Sequence, residues 1–550
     1  MSGNLRHPEY LTIFKLFDRG NGAVNMAKPA HNYNDKLQDR KVLVEWFKQG
    51  CAAKEDLVIG AEHEKIIFYK DDYAIVPYEG KDGKPGIKDL LEHLRDHHDW
   101  TPFYEDDNLI RLEKNGASVT LEPGGQIELS GAALHNLHEV ANETKNHFSE
   151  LLEACEANGM DVLGLGYHPT MTLDDAPLMP MSRFQTFYNF FKSNHFETAR
   201  KLMVATSSTQ VNLGYSSEDD MVKKLRVGLS LQPIASAIFA NSPFEDGKLS
   251  DSASTRSRIT HNAADGRYGF MMPVAFEDDF GFERYTDFIL NEMPVFGIYH
   301  NDHFMWIEKP VSFMDCVNGP IPGLEEQHDM TLNDWFNHIN TIWPEVRMRQ
   351  WLEMRGCDVG SSEDMINALP AFWVGLLYDD EALDKAYDLI KDWTAEDREF
   401  LRTRTPEDGL QTPFKGGTVQ DIAKKLVELA ELGLRNRNIQ NEDGVHEGVY
   451  LKPLRDIVDT GLTQSDVMKK KYENEWDKDI SHVFNEFSFG AHQRKHAREM
   501  MAGADRAAAS KTCPGADRKD WKKAAEKRAD NENKQMPPRR PPQSGARTGK

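Results

Sequence analysis

Cysteine is scarce in this chain. Five residues (Cys51, Cys155, Cys316, Cys357 and Cys513) occur in 550, with no C-x-x-C and no cysteine–histidine ligand spacing. That pattern argues against both a disulfide framework and a zinc site, and it predicts a reduced compartment, the cytoplasm. Long apolar runs are missing too. The longest, 368–378 (ALPAFWVGLLY), falls short of the ~18–20 residues of a membrane span and reads as a buried helix. The first residues mix Arg6, Glu9, Lys15, Asp18 and Arg19 with no apolar core, so neither a secretory signal nor a transit peptide is expected. A P-loop is absent as well, since no G-x-x-x-x-G-K-[ST] occurs. Positive charge is the last shortage: 66 Lys and Arg face 89 Asp and Glu, a formal charge of −23. The final sixty residues are the exception, with 16 basic and seven acidic side chains, which leaves the rest near −32. Such a body repels nucleic acid and anionic membranes, and it admits a polyanion only if metal ions bridge the two.

What is present is enough for a packed protein, with 39% hydrophobic and 10% aromatic residues over a length that exceeds one ordinary core. Residues 1–56 read as a helical N-terminal extension, 57–490 as the main body, and 491–550, Lys/Arg/Ala-rich and then Pro-rich, as a flexible basic tail. Within the body, 57–130 reads as an antiparallel meander with a helix near 88–97. Helices are expected over 132–158, 181–194, 219–241, 330–343 and 463–474, and over most of 362–438. The stripe of Phe184, Phe187, Tyr188 and Phe191 on the second of these reads as core.

Two stretches carry the chemistry, 57–68 (LVIGAEHEKIIF) and 119–130 (VTLEPGGQIELS). Residues two apart on a strand share a face, so Glu62 and Glu64 sit together, as do Glu122, Gln126 and Glu128 if Pro123-Gly124-Gly125 only bulges the strand. The opposite parity is apolar in both. A single E-x-E reads more readily as a solvated strand face. Two such strands, each with an apolar back, leave carboxylates that repel unless something positive lies between them. All-oxygen clusters suit hard cations, Mg²⁺ or Mn²⁺, which keep few protein ligands and fill the rest with phosphate oxygens.

A third strand is expected over 201–215, with Gln210 and Asn212 on one face as neutral metal or phosphate ligands, or as amides bonded to backbone. Arg256 and Arg258 lie in a polar, Ser-rich loop at 250–258, either gripping an anion or solvated at the surface. A fourth strand over 345–355 (EVRMRQWLEMR) places Glu353 and Arg355 on one face, as a metal ligand beside a neutralising donor or as a surface ion pair.

Taken together, GAEHEK at 60–65, LEPGGQIELSGA at 121–132, STQVNL at 208–213, RSR at 256–258 before DGRYG, and PEVRMRQWLEMRG at 344–356 resemble the glutamate–cysteine ligases shared by plants and many proteobacteria. LPAFWVGLLYD at 369–379 and the segment near 460–476 support the resemblance, which spans about 57–488. It implies an α+β fold like glutamine synthetase, with a curved antiparallel sheet forming an active-site funnel and helices packed outside. It implies ATP-dependent joining of the glutamate γ-carboxylate to the cysteine amine through γ-glutamyl phosphate, the first step of glutathione biosynthesis. Mg²⁺ (two or more, or Mn²⁺) and ATP follow from it, as does a monomer or weak homodimer. By position, Glu62, Glu64, Glu122, Glu128 and Glu353 match metal carboxylates. Gln210, Asn212 and Arg256 fall on the cofactor side, and Arg355 and Arg258 are the catalytic choices. Cys316 has no convincing disulfide partner, because Cys357 follows the metal-binding strand. The alternatives are a related ligase with another amine acceptor, or a non-catalytic metal- or nucleotide-binding scaffold.

Overall fold

The computed structural model describes residues 36–492, except 38, 264–266, 301–302, 308 and 327. The expected tail from 493 onward, with Cys513, and most of the expected N-terminal extension lie outside the described residues. Fifteen strands are described. The first seven are β1 (Ile59–Tyr69), β2 (Thr101–Glu105), β3 (Asn108–Lys114), β4 (Ala117–Leu121), β5 (Ile127–Ser130), β6 (Met160–Leu163) and β7 (Ser208–Leu213). Two small hairpins follow, β8 (Phe244–Glu245) with β9 (Lys248–Leu249) and β10 (Gly297–His300) with β11 (His303–Trp306). Then come β12 (Val346–Met348) and β13 (Leu352–Asp358), and the last hairpin, β14 (Pro413–Phe414) with β15 (Gly417–Thr418).

Nine of these strands form one sheet, in the order β12-β13-β7-β1-β5-β4-β3-β2, with β6 also paired to β1. Every pairing in it is antiparallel. The long strand β1 organises it, taking β7 along residues 59–63, β5 along 62–65 and β6 along 66–69. Its two faces differ as alternation demands. Ile59 and Ala61 enter the largest apolar core and Ile67 and Tyr69 a second, both on the side away from Glu62 and Glu64. On the acidic side the character changes at Ile66 and Phe68, which are covered by Met468, Trp476 and Phe484.

Helices supply the outer layer. Leu137–Ala157 is capped by Asn136, whose side chain accepts from Glu139 N–H, and it buries Val140, Phe148 and Leu151. Glu218–Ile238 is capped by Ser217 and fills the core with most of its length. The apolar run expected as a buried helix is one: Glu363–Leu377 is buried from Met365 to its end. Among the described residues no helix is long and apolar enough to cross a membrane. The architecture is the α+β one expected. The boundary at residue 57 moves, because Lys41–Lys48 puts Leu43, Val44 and Phe47 into the same core as Ile59. The main body begins before the first acidic strand.

Three expectations are corrected. The 119–130 stretch is two strands joined by a tight turn rather than one bulged strand. Gly125 N–H donates to Glu122 O at 3.0 Å, Glu122 N–H to Gln126 O at 2.9 Å, and Gly125 has φ +88°. The 201–215 stretch begins as the end of a helix (Glu197–Ala205), and only Ser208–Leu213 is strand. The 345–355 stretch is likewise a hairpin, β12 turning into β13.

The turn at 123–125 fixes how the acids of β4 and β5 meet, which makes it a sensitive position. A Cβ on Gly124 would stand 1.9 Å from the Val204 carbonyl oxygen, backbone that cannot swing aside. Gly124→Ala is therefore expected to cost about 2–3 kcal/mol, as overpacking at rigid sites does, measured by urea unfolding. A melt matching the parent would show that the turn is free to shift.

Candidate active site

Register across the sheet brings the expected residues into adjacent rows, because directly paired residues share a face. One row runs Ser118, Ser130, Glu62, Gln210. The next runs Arg111, Thr120, Glu128, Glu64. A third joins Gly60, Asn212, Glu353 and Arg347. Glu122 continues the β4 face from Thr120 into the turn. These rows form one wall of a cavity of about 440 Å³, within the usual range for a small-molecule site.

Local hydrogen bonds orient the carboxylates. Glu64 accepts from Ser208 N–H at 2.7 Å and Ser208 Oγ at 2.9 Å, and from Gln210 Nε2 at 3.3 Å. Glu128 accepts from Thr120 Oγ1 at 3.0 Å and Ser130 Oγ at 3.3 Å. Asn212 Nδ2 donates to Glu62, while its own buried Oδ1 has no partner. The acids still disturb one another. Burial first, and then the charges of Glu122, Glu62 and Glu64, push Glu128 well above the usual carboxylate range. Burial and the charge of Glu64 push Glu122 up to about 8. Glu64 is raised by burial, with Arg256 opposing. Four carboxylates with a free amide oxygen beside them form a donor set of oxygens alone, and three of the four hold protons more tightly than isolated carboxylates. That chemistry fits a hard divalent cation.

The β12–β13 end of the same sheet is cationic. Arg347 Nε and Nη2 both donate to Glu353, the second at 3.0 Å, and Arg355 Nη1 donates to Glu353 Oε1 at 2.8 Å and Gln210 Oε1 at 2.7 Å. Burial alone would raise Glu353, but Arg347, Arg355 and Arg349 outweigh it and hold the carboxyl well below its ordinary value. Arg349 bonds Asn340, has no acidic partner in these contacts, and leaves its buried Nε unpaired. Burial and the neighbouring Arg347 lower it to about 9. Three guanidinium groups around one carboxylate leave an excess of positive charge in a buried corner, ready for an anion.

The remaining site expectations divide. Arg256 lines the cavity, but its Nη atoms donate to the carbonyls of Gly356 and Arg355 at 3.0 Å each. It holds β13 in place rather than presenting a free fork. Arg258 is corrected outright: it bonds Ser252 Oγ and Glu245 and lies off the cavity wall. The supposed polar loop is a buried helix start, Thr255–His261, capped by Ser254. Residues two apart on a helix point roughly 200° apart, so one arginine faces in and the other away. Gln126 shares the acids' parity but donates to Val204 and Thr206 carbonyls behind the wall. Glu353 lies in the cavity as expected, with both oxygens engaged by arginine.

Several wall residues escaped the sequence reading: Arg347, Arg349, Arg111, Arg183, and Glu345 bonded to His261 at 2.6 Å. The signal for three of them was there, since Glu345, Arg347 and Arg349 alternate with Val346 and Met348. The aromatic stripe is also more than core. Phe184, Phe187 and Phe191, with Leu202 and Met203, make the cavity's apolar side. Cys51, Cys155, Cys316 and Cys357 are all free thiols, so Cys316 has no disulfide partner among the described residues.

A cavity with a carboxylate cluster, a guanidinium cluster beside it and an apolar flank has the donor chemistry of the class of sites that pair an anionic substrate with hard cations. The comparisons narrow that class to a family. The model of glutamate–cysteine ligase family 2 matches residues 58–486, well over half of the chain, and the chain belongs to that family. It is 39% identical over 474 residues to glutamate–cysteine ligase A, chloroplastic, of Oryza sativa subsp. japonica, covering 86% of this chain and 93% of the relative. It is 40% identical over 450 residues to the chloroplastic glutamate–cysteine ligase of Nicotiana tabacum, covering 81% and 82%. A solved glutamate–cysteine ligase from Francisella tularensis in complex with AMP superposes with a TM-score of 0.47 at 12% identity, over 78% of this chain and 87% of that one.

The expectation of a cytoplasmic enzyme is overturned here, because these plant relatives are chloroplastic proteins. Sparse cysteine separates reducing from oxidising surroundings and does not say which reducing compartment holds a chain.

Proposed function

We propose that this chain joins the γ-carboxylate of L-glutamate to the amine of L-cysteine, with ATP cleaved to ADP and phosphate, giving γ-glutamylcysteine, the first product on the way to glutathione. The observation that carries the reading is the convergence of acids from β1, β4 and β5 with the arginine hairpin β12–β13 in one cavity, in a member of this family. A carboxylate is a poor acylating agent because its oxygen will not leave. Transfer of a phosphoryl group makes γ-glutamyl phosphate, whose phosphate leaves when the amine attacks. Catalysis of this kind is positioning and charge neutralisation.

In this reading Glu62, Glu64, Glu122 and Glu128 would hold Mg²⁺ or Mn²⁺, with Gln210 and Asn212 as neutral neighbours, and Glu353, bonded by Arg347 and Arg355, would be the last metal carboxylate. Such ions, when bound, neutralise phosphate charge and bring the phosphate and the substrate carboxylate together. Arg355, steadied by Gln210 and Glu353, donates to the oxygens of the group being transferred. Arg349, without an acidic partner, takes a substrate carboxylate or phosphate. The Phe184, Phe187 and Met203 side receives the nucleotide base.

The test is ADP release with glutamate and a panel of amines, with the product identified by mass spectrometry. Cysteine and 2-aminobutyrate are expected to support turnover well above other amines, with γ-glutamylcysteine as the cysteine product. Equal rates across the panel would assign a related ligase with another acceptor. No ADP release with any amine would assign a non-catalytic scaffold.

A further inference from the structure

A second cluster of metal-type ligands lies outside the cavity, where helix Ile87–His97 packs against helix Leu137–Ala157. His93 stands in the last turns of the first helix. His98 is the residue that ends it, its N–H donating to Leu94 O at 3.0 Å as the chain leaves the helical path. That exit brings two imidazoles, five positions apart, to the same side. Glu153 of the second helix reaches toward both. His93 Nε2 is 3.9 Å and His98 Nε2 3.7 Å from Glu153 Oε1. All three ligand atoms lie within 4.8 Å of one another.

These separations are too long for hydrogen bonds. Both Nε2 atoms are buried and have no partner, although their rings are only partly covered. Two buried ring nitrogens without hydrogen-bond partners beside one carboxylate need an explanation. Among the described residues, Glu153 meets no lysine or arginine within ion-pair distance, so no cation of the protein neutralises it. With metal–ligand bonds of about 2.0–2.2 Å, tetrahedral ligand atoms lie roughly 3.3–3.5 Å apart, so closure shortens the two His–Glu separations by about half an ångström or less and draws the two imidazoles together from a separation of at most 4.8 Å.

We propose that His93, His98 and Glu153 bind one Zn²⁺, with water in the fourth position. Two imidazoles and a carboxylate suit zinc, whereas Mg²⁺ and Ca²⁺ seek oxygen shells. The absence of cysteine–zinc spacing pointed away from any zinc site, and this one uses no thiol. The ion clamps the two helices together. The second of them carries His147 and Phe148 against the back of β1, where Phe148 stacks on His63 at 5.5 Å, directly behind the acidic face. The clamp thus stiffens the support of the site without entering it.

The experiment uses full-length, tag-free protein, stripped with a chelator and returned to saturating Mg²⁺, then titrated with Zn²⁺ against a chromophoric competitor and, in parallel, with Co²⁺. One Zn²⁺ per chain is expected, with intense visible Co²⁺ bands of tetrahedral type and a higher Tm with Zn²⁺. Glu153→Gln changes an exposed side chain and keeps the fold. It and His98→Gln should each weaken Zn²⁺ by at least about 10–100-fold, the loss that even outer partners of a metal site produce. Ligation by Glu153→Gln in Mg²⁺ alone should match the parent. Zn²⁺ uptake equal in the parent and both variants, no uptake at micromolar metal, or a weak octahedral Co²⁺ spectrum would each overturn the proposal. Binding is read without substrates, so the result is independent of the ligase reading.

Discussion

Replacing Glu128 by glutamine is expected to lower ATP-dependent ligation by about 10²–10³-fold while making the metal-free protein more stable by about 1–3 kcal/mol. Both effects come from one arrangement. Glu128 faces Glu64 directly across β5 and β1, and like charges so placed repel. Glutamine keeps one oxygen to accept from Thr120 or Ser130 and offers an N–H to the other hydroxyl, but it removes the charge that would hold a cation. The pH dependence gives a second readout. Glu64, Glu122 and Glu128 all have raised pKa values in the fold, through burial first and then through opposed or reinforcing neighbours. A raised folded pKa means that stability is full below the ordinary value of 4.5 and declines as pH rises through the folded value, about 8 for Glu122. In chelator, the Tm of the parent should therefore fall from pH 5 to 8.5, and that of Glu128→Gln should fall less. Parent-like turnover at limiting Mg²⁺, or identical pH profiles, would remove Glu128 from the cation-binding set.

The parity of β1 was legible in the sequence because alternation on a strand is fixed by backbone geometry and needs no distant partner. The acids of 119–130 were placed on the right face for a partly wrong reason. Pro123-Gly124-Gly125 closes a hairpin, and it is cross-strand register, Thr120 against Glu128, that brings them together. The same misreading of a hairpin as one strand at 345–355 hid Arg347 and Arg349, since their importance depends on the chain doubling back to set Arg347 opposite Glu353. Arg258 failed because Ser254-Thr255 suggested a loop, where Ser254 in fact caps a helix. Other features had no local signal. Lys65, fully buried between His63 at 2.8 Å and His147 at 2.9 Å, depends on a helix 82 positions away. The meeting of His93 and His98 with Glu153 depends on that helix as well.

Glu353→Gln should be the most destabilising single change in the cavity, at about 3–5 kcal/mol, because it leaves buried charges without their counter-ion. Arginine does not shed its proton to escape burial, as a lysine or histidine would. Without Glu353, the guanidinium groups of Arg347, Arg349 and Arg355 share one corner with no carboxylate bonded to any of them. Adding Arg347→Met to Glu353→Gln removes both halves of the closest pair and should recover much of the loss, as replacing a buried pair by apolar groups often does. ATP or inorganic tripolyphosphate should raise the Tm of Glu353→Gln more than that of the parent, since a bound anion supplies the missing charge. The pH dependence runs opposite to that of Glu128. The arginines outweigh burial and depress the pKa of Glu353, so its contribution is present above the ordinary carboxylate value and is lost only as pH falls through the depressed one. Between pH 5 and 8 the stability difference between parent and variant should therefore stay constant. A variant within about 1 kcal/mol of the parent, or a difference that changes across that window, would mean that Glu353 is not the counter-ion that holds these arginines in place.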